Sequence, residues 1–170
     1  MDHPIIVRDA SLSDAPALAA LRTAVADSLT SEHGKGHWSS PVSVDGQIRA
    51  ITTSRVLVAV VGKTVTGTLR LVRKKPWAID PAWFAKSKQP LYLLDMAVAP
   101  PAQRQGLGRI LLAEAVRAAQ EIGADAIRLD AYDGPAGAGE FYARCGFTEM
   151  GRVVYRGVPL VYYQLLIQAG

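Results

Sequence analysis

Leu91-Tyr92-Leu93-Leu94-Asp95-Met96-Ala97-Val98-Ala99-Pro100-Pro101-Ala102-Gln103-Arg104-Gln105-Gly106-Leu107-Gly108-Arg109 carries the most structural information in the chain. Through Val98 it is an almost unbroken apolar run, the pattern of a strand buried on both faces. Pro100 and Pro101 stop that strand. Beyond the glycines, Ile110, Leu111, Leu112, Ala115, Val116, Ala119 and Ile122 recur at helical spacing up to Gly123. A helix start carries N–H groups without intrahelical partners and a partial positive charge. Glycines let the backbone approach an anion there, and Arg104 and Arg109 add charge-assisted donors. A plain strand-to-helix turn that needs glycine for its shape is the competing reading of the same letters.

Two phosphate-binding loops are excluded by the residues themselves. A P-loop ends in Gly-Lys-Ser/Thr, whereas Gly108 is followed by Arg109 and Ile110. A dinucleotide fingerprint needs a third Gly or Ala where Leu111 stands.

On the N-terminal side, Ile5 to Val7 is a short β-branched strand. Ser13-Asp14 supplies cap chemistry for a helix through Ala17, Leu18, Leu21 and Val25. Ser28 to Val44 reads as loop or short irregular helix. Val56 to Val61 and Val65 to Val72 are strands joined at a tight Gly62-Lys63 turn. Lys74 to Pro90 is an insertion with three prolines and with Trp77, Trp83 and Phe84 interleaved. On the C-terminal side, Ala126 to Tyr132 is a strand with Arg128 and Asp130 opposite Ile127, Leu129 and Ala131. A short helix spans about Ala138 to Cys145. A hairpin around Arg156-Gly157-Val158-Pro159 closes the chain, and Tyr155, Tyr162 and Tyr163 read as sheet surface or a homodimer edge. The order predicts an α/β (α+β) fold with a mixed sheet flanked by helices, in a single domain over residues 1–170.

The 170 residues are 49% apolar and 20% charged, ordinary for a globular chain. No apolar run approaches the ~18 residues of a membrane span, and Met1-Asp2-His3-Pro4 opens no secretory leader. Cytoplasmic residence is therefore expected. One cysteine, Cys145, allows no internal disulfide and no cysteine-rich zinc site, so no metal is expected. The net charge of +4 suits a polyphosphate cofactor as well as nucleic acid. Nucleic acid is set aside because no Lys/Arg run with interleaved aromatics stands out.

Gln103-x-x-Gly106-x-Gly108, following Met96-Ala97-Val98-Ala99-Pro100, closely resembles the acetyl-CoA motif of the Gcn5-related N-acetyltransferase (GNAT) family. Glu140-Phe141-Tyr142-Ala143-Arg144-Cys145-Gly146-Phe147 resembles that family's second signature, at a similar separation. Pro135 departs from it, standing where the family often has asparagine. The resemblance implies a mostly antiparallel sheet splayed at the cofactor strand. It also implies acetyl-CoA as co-substrate and acetyl transfer by direct attack of a primary amine, on a small molecule or an amino terminus. Gln103, Arg104, Gln105, Gly106, Leu107, Gly108 and Arg109 would hold the pyrophosphate. Backbone groups of Met96, Ala97 and Val98 would receive the pantetheine arm and thioester. Tyr142 corresponds to the general acid. Asp95 is the candidate base, since a carboxylate in an apolar run is desolvated, with Asp130 on the adjacent strand as the other candidate; capping a bulge in the cofactor strand or pairing with a basic residue such as Arg128 is the alternative for Asp95. His37 and Trp38 lie in the loop that would shape the acceptor site. A non-catalytic acyl-CoA-binding module and an acetyltransferase acting on aminoacyl-tRNA are the competing functions.

Overall fold

The computed structural model describes residues 3–168; Met1 and Asp2 of the start discussed above lie outside them. Seven strands form one sheet: β1 (Ile5–Asp9), β2 (Arg55–Val61), β3 (Thr64–Val72), β4 (Pro90–Val98), β5 (Ala126–Tyr132), β6 (Thr148–Tyr155) and β7 (Val158–Leu166). Their spatial order is β1-β2-β3-β4-β5-β7-β6. β1–β2, β2–β3, β5–β7 and β6–β7 are antiparallel, while β4–β5 is parallel, with pairs registered from Pro90↔Ala126 to Tyr92↔Arg128. The helices are α1 (Ala15–His33), α2 (Val44–Thr53), α3 (Leu107–Glu121) and α4 (Gly139–Arg144). The mixed, mostly antiparallel α/β architecture matches the sequence expectation.

The chain divides into two compact units, Met1–Leu71 with Leu94–Ala115, and Val72–Leu93 with Val116–Gly170. In the first, Leu18 of α1 and Ala50 of α2 bury against Val56 and Val58 of β2. In the second, Ile79 and Phe84 of the insertion bury with Tyr92 of β4 and Tyr162 of β7. The Phe84 and Tyr162 rings stack at 5.1 Å.

Three local expectations are corrected. Residues 28–44 are not mainly loop: α1 continues to His33, because Ser28, Leu29 and Thr30 extend it to a stop at Gly34, whose φ is +83°. α2 was not expected, since Gly46, Thr52 and Thr53 weaken its helical pattern. Its start is legible afterwards, because Ser43 Oγ accepts from the Gly46 N–H at 3.0 Å. The last hairpin turns on two residues, Arg156 (φ +49°) and Gly157 (φ +80°), so Val158 and Pro159 already belong to β7.

Asp14 joins β1 to α1. Its carboxylate accepts both Arg8 guanidinium nitrogens at 2.7 and 3.0 Å and the Ser11 N–H at 2.7 Å. The bidentate Arg8 contact, chiefly, holds the carboxyl at about 2. Because the folded value lies below the unfolded one, the contribution is complete above about pH 4 and is lost as pH falls through 2. Asp14→Asn should cost about 1–2 kcal/mol in urea unfolding at pH 7, a cap-sized effect. That gap should close by about pH 2.

Candidate active site

The passage after β4 leads into the start of α3 through a tight turn and two left-handed residues. A 3₁₀ turn over Pro100–Ala102 carries the chain off the strand, and Ala99 N–H bonds Thr66 O of β3 at 2.8 Å. Arg104 (φ +63°) and Gly106 (φ +82°) are left-handed, and α3 begins at Leu107. Left-handed residues interspersed with right-handed ones turn successive N–H groups to one side, the geometry of an anion nest. A Cβ built on Gly106 meets nothing within 4 Å, so glycine stands there for its φ and the space above it is open. The two glutamines are spent on the loop itself: Gln103 Nε2 donates to Val98 O at 3.0 Å and Gln105 Nε2 to Pro101 O at 3.2 Å. Arg104 and Arg109 are exposed and make no ion pair among the described residues. Of the predicted loop, Arg104 and Arg109 are exposed, while Leu107 is buried in the core.

What holds α3 in place is Gly67 of β3, which the sequence reading did not single out. A Cβ there would lie 2.5 Å from Leu107 Cδ2, 2.8 Å from Leu111 Cδ1 and 3.4 Å from Ala97 O. Its signal was a glycine inside a strand, which commonly marks close approach of another element.

Asp95 departs from its expected setting. Its φ of +55° breaks β4, so the irregularity expected near Met96 falls on it. The strand is buried over Leu91–Leu93 but exposed at Asp95, so the apolar run does not desolvate the carboxylate. Arg22 Nη2 lies 3.3 Å from Oδ1 and Arg70 Nη1 3.5 Å from Oδ2. Arg70 Nε also donates to Ser54 Oγ at 2.7 Å. The partners are therefore Arg22 and Arg70, not Arg128, and neither was signalled by periodicity. Arg128 is buried beneath the insertion, where it bonds Tyr92 Oη and Ala85 O and lies 5.0 Å over the Phe84 ring.

Tyr142 sits on α4 and is buried. Its ring meets Phe141, Phe147 and Tyr163 with centroids 5.4, 5.6 and 6.2 Å away. Burial first, and then the nearby Asp130 and Cys145, push the phenol well above its ordinary value. Its proton therefore stays in place through the neutral range.

His37 is exposed, with its ring edge-on to Trp38 at 5.2 Å. Trp38 folds back over its own loop, donating Nε1–H to Gly34 O at 3.1 Å. No group of three or more His, Cys, Asp or Glu able to hold a metal occurs among the described residues. None of their helices is long and apolar enough to cross a membrane.

A mixed, mostly antiparallel sheet flanked by helices, with a glycine-shaped loop feeding the start of α3 from β4, defines the class of α/β domain. Residues 22–147 match the acetyltransferase (GNAT) family, and the chain belongs to that family of acyltransferases. An N-acetyltransferase from Staphylococcus aureus Mu50 shares the fold at TM-score 0.74 and 17% identity, over 97% of this chain and 99% of that one. A Salmonella typhimurium protein classed with the acetyltransferases, solved with its cofactor acetyl-CoA, gives TM-score 0.73 and 20% identity over 98% and 96%. A ribosomal-protein-alanine N-acetyltransferase from Brucella melitensis gives 0.74 and 23% over 95% and 99%. At these identities the likeness is one of fold. None of the curated proteins matches the chain.

Proposed function

We propose that the protein moves an acetyl group from acetyl-CoA to a primary amine of a small molecule or an amino terminus, by direct attack. The observation that carries this reading is the start of α3. There a left-handed Arg104 and Gly106, open space above Gly106, and two unengaged arginines suit the pyrophosphate of coenzyme A. The family supports acetyl-CoA as donor, and a fold neighbour was solved with that cofactor.

Each remaining role belongs to a residue of this chain. Backbone groups of Met96, Ala97 and Val98 would receive the pantetheine arm and the thioester carbonyl. Tyr142 would donate to the departing thiolate, a role that its raised value keeps open at neutral pH. Asp95 holds the bend of β4 through Arg22 and Arg70. It would act as the base from that exposed, ion-paired position. An alkylamine has a pKa near ~10.4, so presenting it neutral at pH 7 costs about 4–5 kcal/mol. A general base, acting directly or through water, would meet that demand. His37 and Trp38 would border the acceptor.

The test is thiol release from acetyl-CoA against a panel of amino acids, polyamines, aminoglycosides and peptides, at 0.1 mM donor. The peptides include alanine-initiated ones, since one fold neighbour is an alanine N-acetyltransferase for a ribosomal protein. Transfer to one acceptor class is expected. Saturable acetyl-CoA binding with no turnover across the panel would instead favour a non-catalytic acyl-CoA-binding module.

A further inference from the structure

The insertion between β3 and β4 carries a chemistry that acetyl transfer does not use. Five of the chain's nineteen basic residues, Arg73, Lys74, Lys75, Lys86 and Lys88, fall within residues 73–88, with Asp80 as the one acidic residue there. The remaining fourteen basic and fourteen acidic residues cancel, so the formal charge of +4 resides in this segment. All five cations are exposed, and none makes an ion pair among the described residues. By contrast, Arg152 on β6 is neutralised by Asp133 and Glu149.

Between the two basic ends, the aromatics divide into two kinds. Phe84 is core, 8% exposed, and locks the insertion to Tyr162. Trp77 is 83% exposed and Trp83 46%. Trp83 lies flat on the backbone of Gly151, where a Cβ would collide with its ring, so one face is seated and the other open. The two indoles, with Lys75, Val154 and Tyr155, wall a groove of about 470 Å³. Its volume is within the ~300–1,000 Å³ typical of ligand sites. The Arg156 guanidinium sits 5.2 Å over the ring of Tyr155, one of the lining residues. Asp80 also lines the groove, with its Oδ1 engaged by the Ala82 N–H at 3.0 Å.

We propose that this groove binds single-stranded nucleic acid, with bases stacking on Trp77 and Trp83 and the flanking cations taking the phosphates. Exposed indoles in a groove with Lys75 on its wall, and the exposed cations that neighbour them in the insertion, are the two elements that sequence-tolerant single-strand binding combines. An acidic peptide would use the cations but leaves the aromatic slot without a role. A membrane surface would meet the cations but is flat, whereas the indoles line a concavity. In the sequence the three aromatics of the insertion look alike, whereas in the structure Phe84 is buried and Trp77 and Trp83 stay exposed.

The experiment is fluorescence anisotropy of labelled 12-mers of uridine and of thymidine with the full chain, titrated across salt. Binding is expected with a log–log salt slope of about −3, near −0.7 for each of four to five neutralised phosphates. A preference between the two 12-mers distinguishes RNA from DNA, and either supports the site. Trp77→Ala, a change at an exposed position, should weaken binding about tenfold or more with the slope unchanged. Lys74→Gln/Lys75→Gln/Lys86→Gln/Lys88→Gln should flatten the slope towards zero. Four results would each overturn the proposal: no binding at low salt, an unaltered Trp77→Ala, equal affinity for a duplex of the same length, or equal affinity for polyglutamate or anionic vesicles. Acetyl-CoA is absent from the assay, so its outcome is independent of the acetyl-transfer reading.

Discussion

Tyr142→Phe should lower kcat by about 10²-fold or more, the contribution usual for a positioned general acid. The substitution keeps the ring, and the ring is what packs against Phe141, Phe147 and Tyr163. Folding and acetyl-CoA KM should therefore change little. The direction of the phenol's shift adds a pH signature. Burial moves ionisation above the ordinary phenol range, so the wild-type rate should show no alkaline fall from this group below about pH 10. Steady-state kinetics over pH 6–10, with thermal unfolding of both proteins, checks both parts. A Tyr142→Phe enzyme with wild-type kcat across that range would remove the acid role and leave the fold untouched.

The second large effect is expected at Gly106. Gly106→Glu should raise the KM for acetyl-CoA by about 100-fold or more, while Gly106→Ala should raise it only a few-fold. Both replacements are strained at φ +82°, by roughly 1–2 kcal/mol. The Cβ that both share has nothing within 4 Å. The difference between the two variants is thus the carboxylate. It would stand at a helix start whose own field favours an anion and would repel a second one. Measuring KM together with the thermal shift produced by coenzyme A separates lost binding from lost folding. Equal KM values for the Glu variant and the wild type would show that the pyrophosphate is held elsewhere.

Strands, helix α3 and the glycine loop were legible because each depends on short-range pattern. An apolar run is stopped by two prolines, glycines stand at left-handed positions, and leucines and alanines recur at helical spacing. The Phe141-Tyr142 pair was legible through resemblance, because a phenol on a short helix has no local pattern of its own. Other features depend on partners distant in sequence. Arg22 and Arg70 surround Asp95 from α1 and β3, and no run around Asp95 announces them. The apolar letters on either side of Asp95 suggested burial, yet one left-handed residue turned its side chain outward. Helix α2 was masked by a glycine and two threonines, and is sustained by packing Ala50 against Leu18 and Val58. The insertion's aromatics looked equivalent in sequence and differ tenfold in exposure between Phe84 and Trp77.

Gly67 has a consequence for the timing of order. The first turn of a helix ordinarily frays, and its amide groups exchange with solvent earlier than those of the middle. In α3 the first residue, Leu107, and Leu111 one turn later already rest on the strand where Gly67 has no side chain. The amides that would meet a pyrophosphate are thus immobilised when the chain folds, before any ligand arrives. Less conformational entropy then remains to be lost on association. A side chain at 67 would act at a distance, letting that turn fray without touching the ligand.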